Sequence, residues 1–410
     1  MIPNDISADV LIVGGGLSGP ALALALTGAG LRAAVIDAQP LRARAEVAFD
    51  GRAYALSIAS QRLLAAVGVW EALAPVAQPI REIKASDGRP GEGVAPFFLH
   101  FDAAEIEEGP MGFMVEDRHL YAAFHEAMER AGAALLPGVT VAAQEAGEAG
   151  ATVTLADGRV MAGRVIAGCD GRGSGTALRA GISRTGWDYR QTAVVCALEH
   201  ERPHNGVAQQ VFLPTGPLAI LPLTGNRSSI VWSETGENAT ALMAADEAMF
   251  AGVLAERIGG ALGAFRVAGA RFAYPLSLSL AERYVAPRVA LVGDAAHGVH
   301  PIAGQGLNLG FRDVGALAEV LVTAARRGED IGAADVLARY QTWRRFDATA
   351  LALGMDAVNR LFSNDNPVLR VARDLGMGVV SSLPGLRRAF IRQAAGLSGD
   401  VPRLLAGKRL

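Results

Sequence analysis

Three glycines between an apolar run and a helix-favouring segment restrict the fold of this chain more than any other feature. In residues 9–13, every position after Asp9 is apolar, which is typical of a parallel strand buried on both faces. Gly14, Gly16 and Gly19 follow at the GxGxxG spacing, and residues 21–26 continue as a helix. Because the motif lies between a strand and a helix, it predicts a phosphate-binding loop rather than an ordinary turn.

A second strand over residues 32–36 ends at Asp37 and completes a βαβ unit of the length that dinucleotides require. We expect Gly14 to permit the tight turn, Gly16 to let a pyrophosphate approach the backbone, and Gly19 to allow close helix–strand contact. Asp37 should accept hydrogen bonds from the adenosine ribose. The predicted contacts of this unit are Gly14, Gly16, Leu17, Ser18, Gly19 and Asp37.

A second motif lies near the other end of the chain, at residues 289–310. An apolar strand ends at Gly293-Asp294, a loop containing Pro301 follows, and a helix begins near Leu307. A carboxylate at a strand end and bare N–H groups at a helix start suit the ribityl chain and pyrimidine edge of a flavin. The positive helix end also favours an anionic reduced ring. The alternative is an ordinary strand–loop–helix whose glycines serve only the turn.

A third motif is the strand over residues 165–168 that ends in Asp170-Gly171. Its alternative interpretation is a turn with a helix N-cap near Ser174. No second GxGxxG occurs later in the chain, so one nucleotide has a dedicated domain. The motif at 293–308 favours FAD over NAD as that nucleotide.

Composition excludes several classes of protein. A net charge of −3 favours neither nucleic acid nor an acidic partner. Two cysteines, Cys169 and Cys196, allow no disulfide framework or metal spacing, which predicts a reducing, cytoplasmic location. Residues 10–31 carry no charge, but their glycines and Pro20 favour a strand, a turn and a buried helix over a membrane span.

The three motifs, in this order, resemble those of the group A flavin monooxygenases of the para-hydroxybenzoate hydroxylase type. Within that group the likeness is strongest to the ubiquinone-biosynthesis hydroxylases, and it spans nearly the whole chain. The segments that carry it beyond the three motifs are residues 50–57, 116–120, 300–310 and 392–400.

The resemblance implies an α/β fold with a discontinuous, Rossmann-like FAD-binding domain over residues 1–75, 107–183 and 283–340. Residues 76–106 and 184–282 would form an inserted substrate domain on an antiparallel sheet, and 341–410 a C-terminal helical region. The sequence supports the insertion independently, because short β-favouring runs alternate there with turn residues. Residues 240–258 read as one helix.

The resemblance also assigns roles to residues. Arg52 would lie near the flavin, with a surface arginine as the alternative, and Arg118 would contact the pyrophosphate side, with a solvated helix start as the alternative. Asn308, with the backbone N–H groups of Gly306 and Leu307, would meet the pyrimidine edge, with helix capping as the alternative. The remaining residues carried over as cofactor contacts are Asp170, Asp294, Pro301 and Gly304.

His297 and His300 are separated by only three positions, but no acid or cysteine cluster completes a metal site. We expect His297 to be structural and predict no metal. No catalytic acid or base is assigned, because the expected chemistry belongs largely to the cofactor.

The activity that the resemblance implies is hydroxylation of a polyprenylated phenol by FAD and O₂, through a flavin C4a-hydroperoxide. Reducing equivalents would come from transiently bound NAD(P)H or from a separate reductase. Three alternatives stay open: hydroxylation of a small soluble phenol, reduction of an isoprenoid double bond, or a non-catalytic FAD-containing scaffold of a quinone-synthesis complex. The ring carbon, the prenyl chain length and the oligomeric state are not determined by the sequence.

The C-terminal segment from residue 383 carries six basic residues against one acidic residue. Leu386, Phe390 and Ala394 recur every four residues, so a basic amphipathic helix is predicted. Such a helix either packs on the body of the protein with a solvated outer face, or lies on the inner face of an anionic membrane.

Overall fold

The structure is a computed structural model that describes residues 8–40, 48–89, 93–364, 366 and 383–410. The described strands, in chain order, are β1 (Val10–Val13), β2 (Ala33–Asp37), β3 (Ala53–Leu56), β4 (Gln78–Ile80), β5 (Glu82–Arg89), β6 (Gly93–Asp102), β7 (Gly112–Glu116), β8 (Ala134–Pro137), β9 (Val141–Ala146), β10 (Ala151–Leu155), β11 (Val160–Gly163), β12 (Val165–Gly168), β13 (Arg184–His200), β14 (Val207–Leu213), β15 (Gly216–Leu223), β16 (Arg227–Thr235), β17 (Phe265–Ala281), β18 (Val285–Ala286), β19 (Val289–Leu291) and β20 (His297–Gly298).

The described α-helices are α1 (Ser18–Thr27), α2 (Ile58–Ala66), α3 (Trp70–Leu73), α4 (Asp117–Ala131), α5 (Gly175–Arg179), α6 (Gly236–Ala244), α7 (Glu247–Ile258), α8 (Gln305–Arg326), α9 (Ala334–Phe362) and α10 (Pro384–Ala394).

The apolar run before the glycine loop forms the centre of a six-stranded sheet in the order β18-β19-β12-β1-β2-β8. β1 is buried along its whole length and pairs in parallel with both β2 and β12. A strand that is apolar on both faces needs cover on both sides. α1 and α8 pack against each other beside it, and their apolar side chains belong to the same core.

An eight-stranded sheet, in the order β20-β17-β13-β16-β15-β14-β5-β6, holds strands from both predicted substrate segments. Neighbouring strands run antiparallel except β14 and β5, which are parallel. One face packs on α6 and α7 around Trp232 and Phe250, neither of which is exposed. The described strands therefore confirm the predicted α/β fold class, a Rossmann-like sheet combined with an inserted, largely antiparallel one.

Two three-stranded sheets complete the strand content. One is ordered β11-β10-β9, and the other, β3-β7-β4, contributes Ala53 and Ala55 to a cluster that also holds side chains of the eight-stranded sheet. β3 follows Arg52 directly and β7 ends just before α4. This small sheet therefore carries two predicted arginine segments to the junction of the two large sheets.

The prediction of one helix over residues 240–258 is wrong, because the segment forms α6 and α7. Ala245 is extended at the break, and the side chain of Asp246 accepts a hydrogen bond from the N–H of Met249, which caps the new helix. In the predicted C-terminal region, α9 and α10 are helical, while 365 and 367–382 lie outside the described residues. No helix in the described ranges has the length and apolar character that a membrane crossing requires.

Candidate active site

The glycine loop owes its course to close backbone contacts. Gly14 has φ +109°, and a Cβ there would lie 2.3 Å from the carbonyl oxygen of Cys169. A Cβ on Gly19 would lie 2.0 Å from the carbonyl oxygen of Gly14, so the helix starts directly against the strand end. At Gly16, by contrast, a Cβ would meet no protein atom within 4 Å. The loop therefore has one open side, at the position predicted for the pyrophosphate.

The end of β2 lies beside this loop. The carboxylate of Asp37 is buried, and a Cβ on Gly15 would lie 2.5 Å from its Oδ2. Leu17 immediately precedes the helix, and Ser18 is its first residue. These N–H groups belong to the first turn, where no partner exists within the helix. Their contact with a dinucleotide stays a prediction, and the geometry is suited to it.

The three motifs, far apart in the chain, meet in pairs. The first touches the third where Gly14 packs on Cys169. The first touches the second where the Oγ of Ser18 lies against Gly293 and Gly310, 2.9 Å from the Cβ that the latter would carry. The second and third are joined by an ion pair of 3.2 Å between Arg172 Nε and Asp294 Oδ2. These contacts gather the predicted cofactor residues around one place.

The side chain of Asp170 is engaged within the protein. One carboxylate oxygen accepts the hydroxyl of Ser174, and the other accepts the N–H and hydroxyl of Thr176, each at 2.9 Å. Ser174 is the N-cap of α5. The alternative interpretation of this motif as a capped turn is thus correct for the local structure, and a role for Asp170 at the cofactor stays a prediction.

The loop after β19 supplies a helix start with no side-chain cap. Gly304 has φ +62° and is the N-cap of α8, which places Gly306 and Leu307 in the first turn. N–H groups there lack partners within the helix and favour negative charge. Pro301 precedes a short 3-10 turn over Ile302–Gly304. The loop is shaped as predicted for the polar edge of a flavin.

The side chain of Asn308 is engaged within the protein, and its contact with the pyrimidine edge stays a prediction. Its Oδ1 accepts the N–H of Ser57 and the hydroxyl of Ser60, and its Nδ2 donates to the carbonyl oxygens of Ala55 and Gly304. The capping alternative is wrong, because Gly304 occupies the cap. The amide instead ties the loop to β3 and α2, so its donors and acceptor are used within the protein.

A buried charge network, which the sequence analysis did not identify, supports the same loop. Asp313 Oδ2 accepts the N–H of Gly293 at 3.0 Å and contacts His297 Nε2 at 2.6 Å, while Oδ1 accepts Arg344 Nε at 2.8 Å. Burial alone would raise the pKa of Asp313, but His297 and Arg344 outweigh it and hold that pKa below its usual value. The available signal was the charged pair Arg312-Asp313 within the otherwise uncharged start of α8.

Arg52 lies between the small sheet and the eight-stranded sheet. Its guanidinium is 2.7 Å from the carboxylate of Asp50 and 3.3 Å from that of Asp117, and it lies 5.4 Å from the ring centroid of Phe272. The hydrogen bond to Asp50 and the charge of Asp117 raise its pKa despite partial burial. Arg52 is thus held by two carboxylates while its side chain stays 41% exposed, so its place near the flavin stays a prediction and the surface-arginine alternative stays open.

Arg118 lies at the interface between the small sheet and the eight-stranded sheet. Glu116, only 3% exposed in its side chain, is 2.7 Å from Arg118 Nε and 2.6 Å from a terminal nitrogen of Arg227 on β16. Both guanidinium groups lie over the ring of Phe49. Arg118 thus helps to join the small sheet to the eight-stranded one, and its contact with a pyrophosphate stays a prediction.

The face of the eight-stranded sheet opposite α6 and α7 presents a row of small apolar side chains. The register places Phe272 beside Val195, Val195 beside Val231, and Val231 beside Ala219. Residues directly opposite on paired strands share a face. All four are only partly buried, and Phe272 is the residue beneath Arg52. This row therefore lies on the side of the sheet that looks toward the loops described above.

His300 is a second buried histidine beside the loop. It is 1% exposed, and its ring meets that of Tyr189 edge-on at 5.1 Å between centroids. Burial, reinforced by the charge of Arg172, lowers its pKa to about 4. Burial thus favours the neutral form of the imidazole near pH 7.

The two cysteine thiols are buried. Burial raises the pKa of the Cys169 thiol, and it raises the pKa of Cys196 to about 12, so both stay protonated near neutrality. Among the residues that the structure describes, no group of three or more His, Cys, Asp or Glu side chains could hold a metal ion.

Comparison with known proteins decides between the cofactor interpretations. Residues 7–352 match the family described as FAD binding domain. The chain is 46% identical over 407 residues to the ubiquinone hydroxylase UbiL of Rhodospirillum rubrum, covering 98% of this chain and 94% of that protein. It is 36% identical to the 3-demethoxyubiquinol 3-hydroxylase of Escherichia coli, covering 95% and 98%. The chain belongs to the FAD-dependent monooxygenases of ubiquinone biosynthesis.

Other members and neighbours of this monooxygenase family agree with the fold. The human ubiquinone biosynthesis monooxygenase COQ6 is 31% identical, covering 96% of this chain and 93% of that protein. The p-nitrophenol 4-monooxygenase PnpA of Pseudomonas putida DLL-E4 has a TM-score of 0.79 at 20% identity, covering 97% of this chain and all of that one. At that identity the second likeness concerns the fold alone.

The residues of this monooxygenase are suited to FAD. The open side of Gly16 and the first turn of α1 can receive a diphosphate, and the first turn of α8 can face the polar edge of the ring. Bound FAD supplies the electron transfer and oxygen activation of such enzymes. The protein's part is to bind and orient the ring, to stabilise negative charge on it and to restrict water.

Proposed function

We propose that this monooxygenase hydroxylates the aromatic ring of a polyprenylated phenol in ubiquinone biosynthesis, with FAD and O₂. The observation that carries the proposal is likeness over almost the full chain to enzymes named for hydroxylation in that pathway. The apolar row on the sheet supports it from the geometry, because its side chains offer a flat, weakly polar support for a substituted ring.

The roles follow from position. Backbone N–H groups of the glycine loop and Asp37 would hold the ADP half of the cofactor. Asp294 would contact the ribityl hydroxyls, since it lies at a strand end where the three motifs meet. Gly306 and Leu307 would donate to the pyrimidine edge, where negative charge accumulates when the ring is reduced.

The reductant is proposed to be NAD(P)H that docks transiently, or a separate reductase. The support is that only one GxGxxG motif occurs in the sequence, so no second nucleotide has its own βαβ unit. Anaerobic mixing of the oxidised holoprotein with NADH or NADPH, with and without a prenylphenol, separates the two. Bleaching of the flavin absorbance by a nicotinamide nucleotide supports direct docking, and an unchanged spectrum assigns the step to a reductase.

Product mass tests the reaction. Purified holoprotein is supplied with a reductant, O₂ and a series of prenylphenols, and the products are weighed by mass spectrometry. A product heavier by one oxygen atom is expected. A gain of hydrogen would instead identify an isoprenoid reductase, and hydrogen peroxide alone with every prenylphenol would contradict the proposal. Complementation of a deficient strain by a variant that binds FAD but does not react with O₂ would assign a scaffold role.

We also propose peripheral contact with the inner face of an anionic membrane, because the substrate is an isoprenoid. α10 packs on the body of the protein through the buried side chain of Ile391. Arg387 pairs with Glu105, and Arg392 pairs with Glu108. These contacts agree with the packing alternative for the face of α10 that carries them. Its other face carries three exposed apolar side chains. They are Leu383, Leu386 and Phe390.

Vesicle sedimentation tests this contact. The protein is expected to sediment with vesicles that contain anionic lipid, and the variant Phe390→Ser should do so less, because burial of the ring in the lipid interface is lost. Leu178→Ser, at an exposed leucine in α5, is the matched control. Equal sedimentation of all three proteins, or none by the wild type, would contradict the proposal.

A further inference from the structure

One polar side chain interrupts the apolar row of the eight-stranded sheet. Gln210 on β14 lies directly opposite Ala219, which continues the row formed by Val231, Val195 and Phe272. Its neighbour Val211 packs on the α6–α7 side. Because side chains alternate along a strand, Gln210 points to the opposite face, the one that carries the row.

The amide of Gln210 is incompletely satisfied. Its Nε2 is buried and has no hydrogen-bond partner among the described residues. A buried N–H without a partner costs about 1–3 kcal/mol, so such a group usually marks a missing ligand or water. Nothing on the α6–α7 side can supply a partner, since the side chain faces the other way. A partner could therefore reach Nε2 only from the side of the sheet that carries the row.

A second glutamine on the same sheet shows what a structural amide looks like here. Gln191 Nε2 donates to the carbonyl oxygen of Thr215 at 2.7 Å, and its Oε1 accepts Nδ2 of Asn359 at 3.1 Å. Both ends of that side chain are paired, and they connect β13 to a loop and to α9. The side chain of Gln210 makes no such link through its Nε2. The contrast separates a packing role from a ligand-binding role.

We propose that Gln210 is the polar contact for a ring oxygen of the substrate. The inference rests on the proposed function and adds how the ring is oriented. The amide would donate its N–H to a phenolic or methoxy oxygen and could accept from a phenolic O–H. The oxygen-bearing edge of the ring then lies over β14, and the rest of the ring lies over Ala219 and Val231. The chemical class of ligand is an aromatic ring with an oxygen substituent and an apolar remainder.

The position also has consequences for coupling. Phe272, at the other end of the row, lies beneath Arg52, and Phe212, next but one to Gln210 along β14, contacts Phe362 of α9 at 4.2 Å between centroids. Apolar groups thus flank the row at both ends. With the ring oxygen fixed by one amide, the carbon to be hydroxylated has a defined place relative to the flavin. Loss of that contact should release hydrogen peroxide at the expense of product.

Binding and coupling are measured in the holoprotein with Gln210→Leu and the longer-chain Gln210→Met. A prenylphenol is titrated while the flavin absorbance is followed, and the same is done with a prenylbenzene that lacks the ring oxygen. We expect either variant to bind the prenylphenol about tenfold more weakly, as loss of one hydrogen bond predicts. Prenylbenzene should bind to wild type and variants equally, and the ratio of hydroxylated product to hydrogen peroxide should fall.

Gln191→Leu is the matched control. It should lower the melting temperature, because it leaves Nδ2 of Asn359 and the carbonyl oxygen of Thr215 without this partner, whereas Gln210→Leu should leave the melting temperature of the ligand-free protein unchanged or higher. Prenylphenol affinity equal to wild type in both Gln210 variants would overturn the inference. That outcome differs from failure of the proposed function, in which the wild type itself hydroxylates no prenylphenol.

Discussion

The carboxylate of Asp313 lies 2.6 Å from Nε2 of His297, and neither side chain has any exposed surface. The same oxygen accepts the N–H of Gly293, and the other oxygen pairs with Arg344, which is itself 1% exposed. Breaking an ion pair that is this deeply buried destabilises the protein, because removing one charge leaves the other uncompensated. The network therefore holds Gly293 in place at the start of the loop that follows β19.

Asp313→Asn should destabilise the protein by about 3 kcal/mol, because it leaves the charge of Arg344 buried with one partner fewer. FAD should also be retained less well, since Gly293 loses its anchor. Denaturant unfolding and flavin occupancy measure the two effects. Asp335→Asn is the control, because Asp335 is 73% exposed and its ion pair with Arg339 is screened by solvent and contributes little to stability. Equal stability of the two variants would show that the network contributes nothing.

Stability should fall in mild acid partly because of His300. Its folded-state pKa of about 4 lies below the unfolded value near 6.5, so the unfolded chain binds a proton that the folded protein refuses. The loss of folding stability due to His300 is absent above about pH 6.5. It grows as the pH falls toward 4, to at most about 3 kcal/mol.

The test compares unfolding of wild type and His300→Gln at pH 7 and pH 5. The variant should lose less stability between the two values, although not none, since burial also lowers the pKa of His119 and His200. An unaltered pH dependence in His300→Gln would contradict the assignment.

Two glycines of the first motif should respond differently to alanine. Gly16→Ala should leave the melting temperature of the apoprotein unchanged, because the new methyl group meets no protein atom. It should weaken FAD binding at least about tenfold, since the methyl group occupies the side on which the diphosphate approaches. Gly14→Ala should instead destabilise the fold, because its Cβ would strike the carbonyl of Cys169 at a φ of +109°. Normal FAD affinity in Gly16→Ala would place the diphosphate elsewhere.

Asp294→Ala should reduce flavin occupancy with little loss of stability. Its pair with Arg172 is about 40% exposed on both sides, and such a pair is worth less than about 1 kcal/mol. Occupancy is measured from the ratio of flavin to protein absorbance after purification, and stability from thermal unfolding. Arg172→Ala removes the same ion pair and is the control. If flavin occupancy is the same in Asp294→Ala as in wild type, Asp294 is only a turn residue.

Local patterns predicted the local parts of this fold well. The apolar run, the glycine spacing and Asp37 indicated β1, α1 and β2 to within a few residues, because all of that information lies in one short segment. The strand–loop–helix around Asp294 was equally accessible. Where a helix break depended on one side chain, as at Asp246, apolar periodicity concealed it.

Contacts between distant segments were not accessible from the sequence alone. Asp313 is 20 residues from Gly293 and 31 from Arg344, and only the packing of α8 on α9 brings the three together. Apart from Gly304, the partners of Asn308 lie about 250 residues earlier in the chain. No local spacing encodes such pairs, so these side chains were assigned from resemblance or not assigned at all.

The position of Glu116 has a consequence for how the molecule comes apart. One buried carboxylate is shared by Arg118 at the start of α4 and by Arg227 on the eight-stranded sheet. Separating the small sheet from the eight-stranded sheet would leave a buried charge without its partner. Partial opening of this interface is therefore unfavourable. We therefore expect the small sheet and the eight-stranded sheet to unfold in a single calorimetric transition on heating rather than in two successive ones.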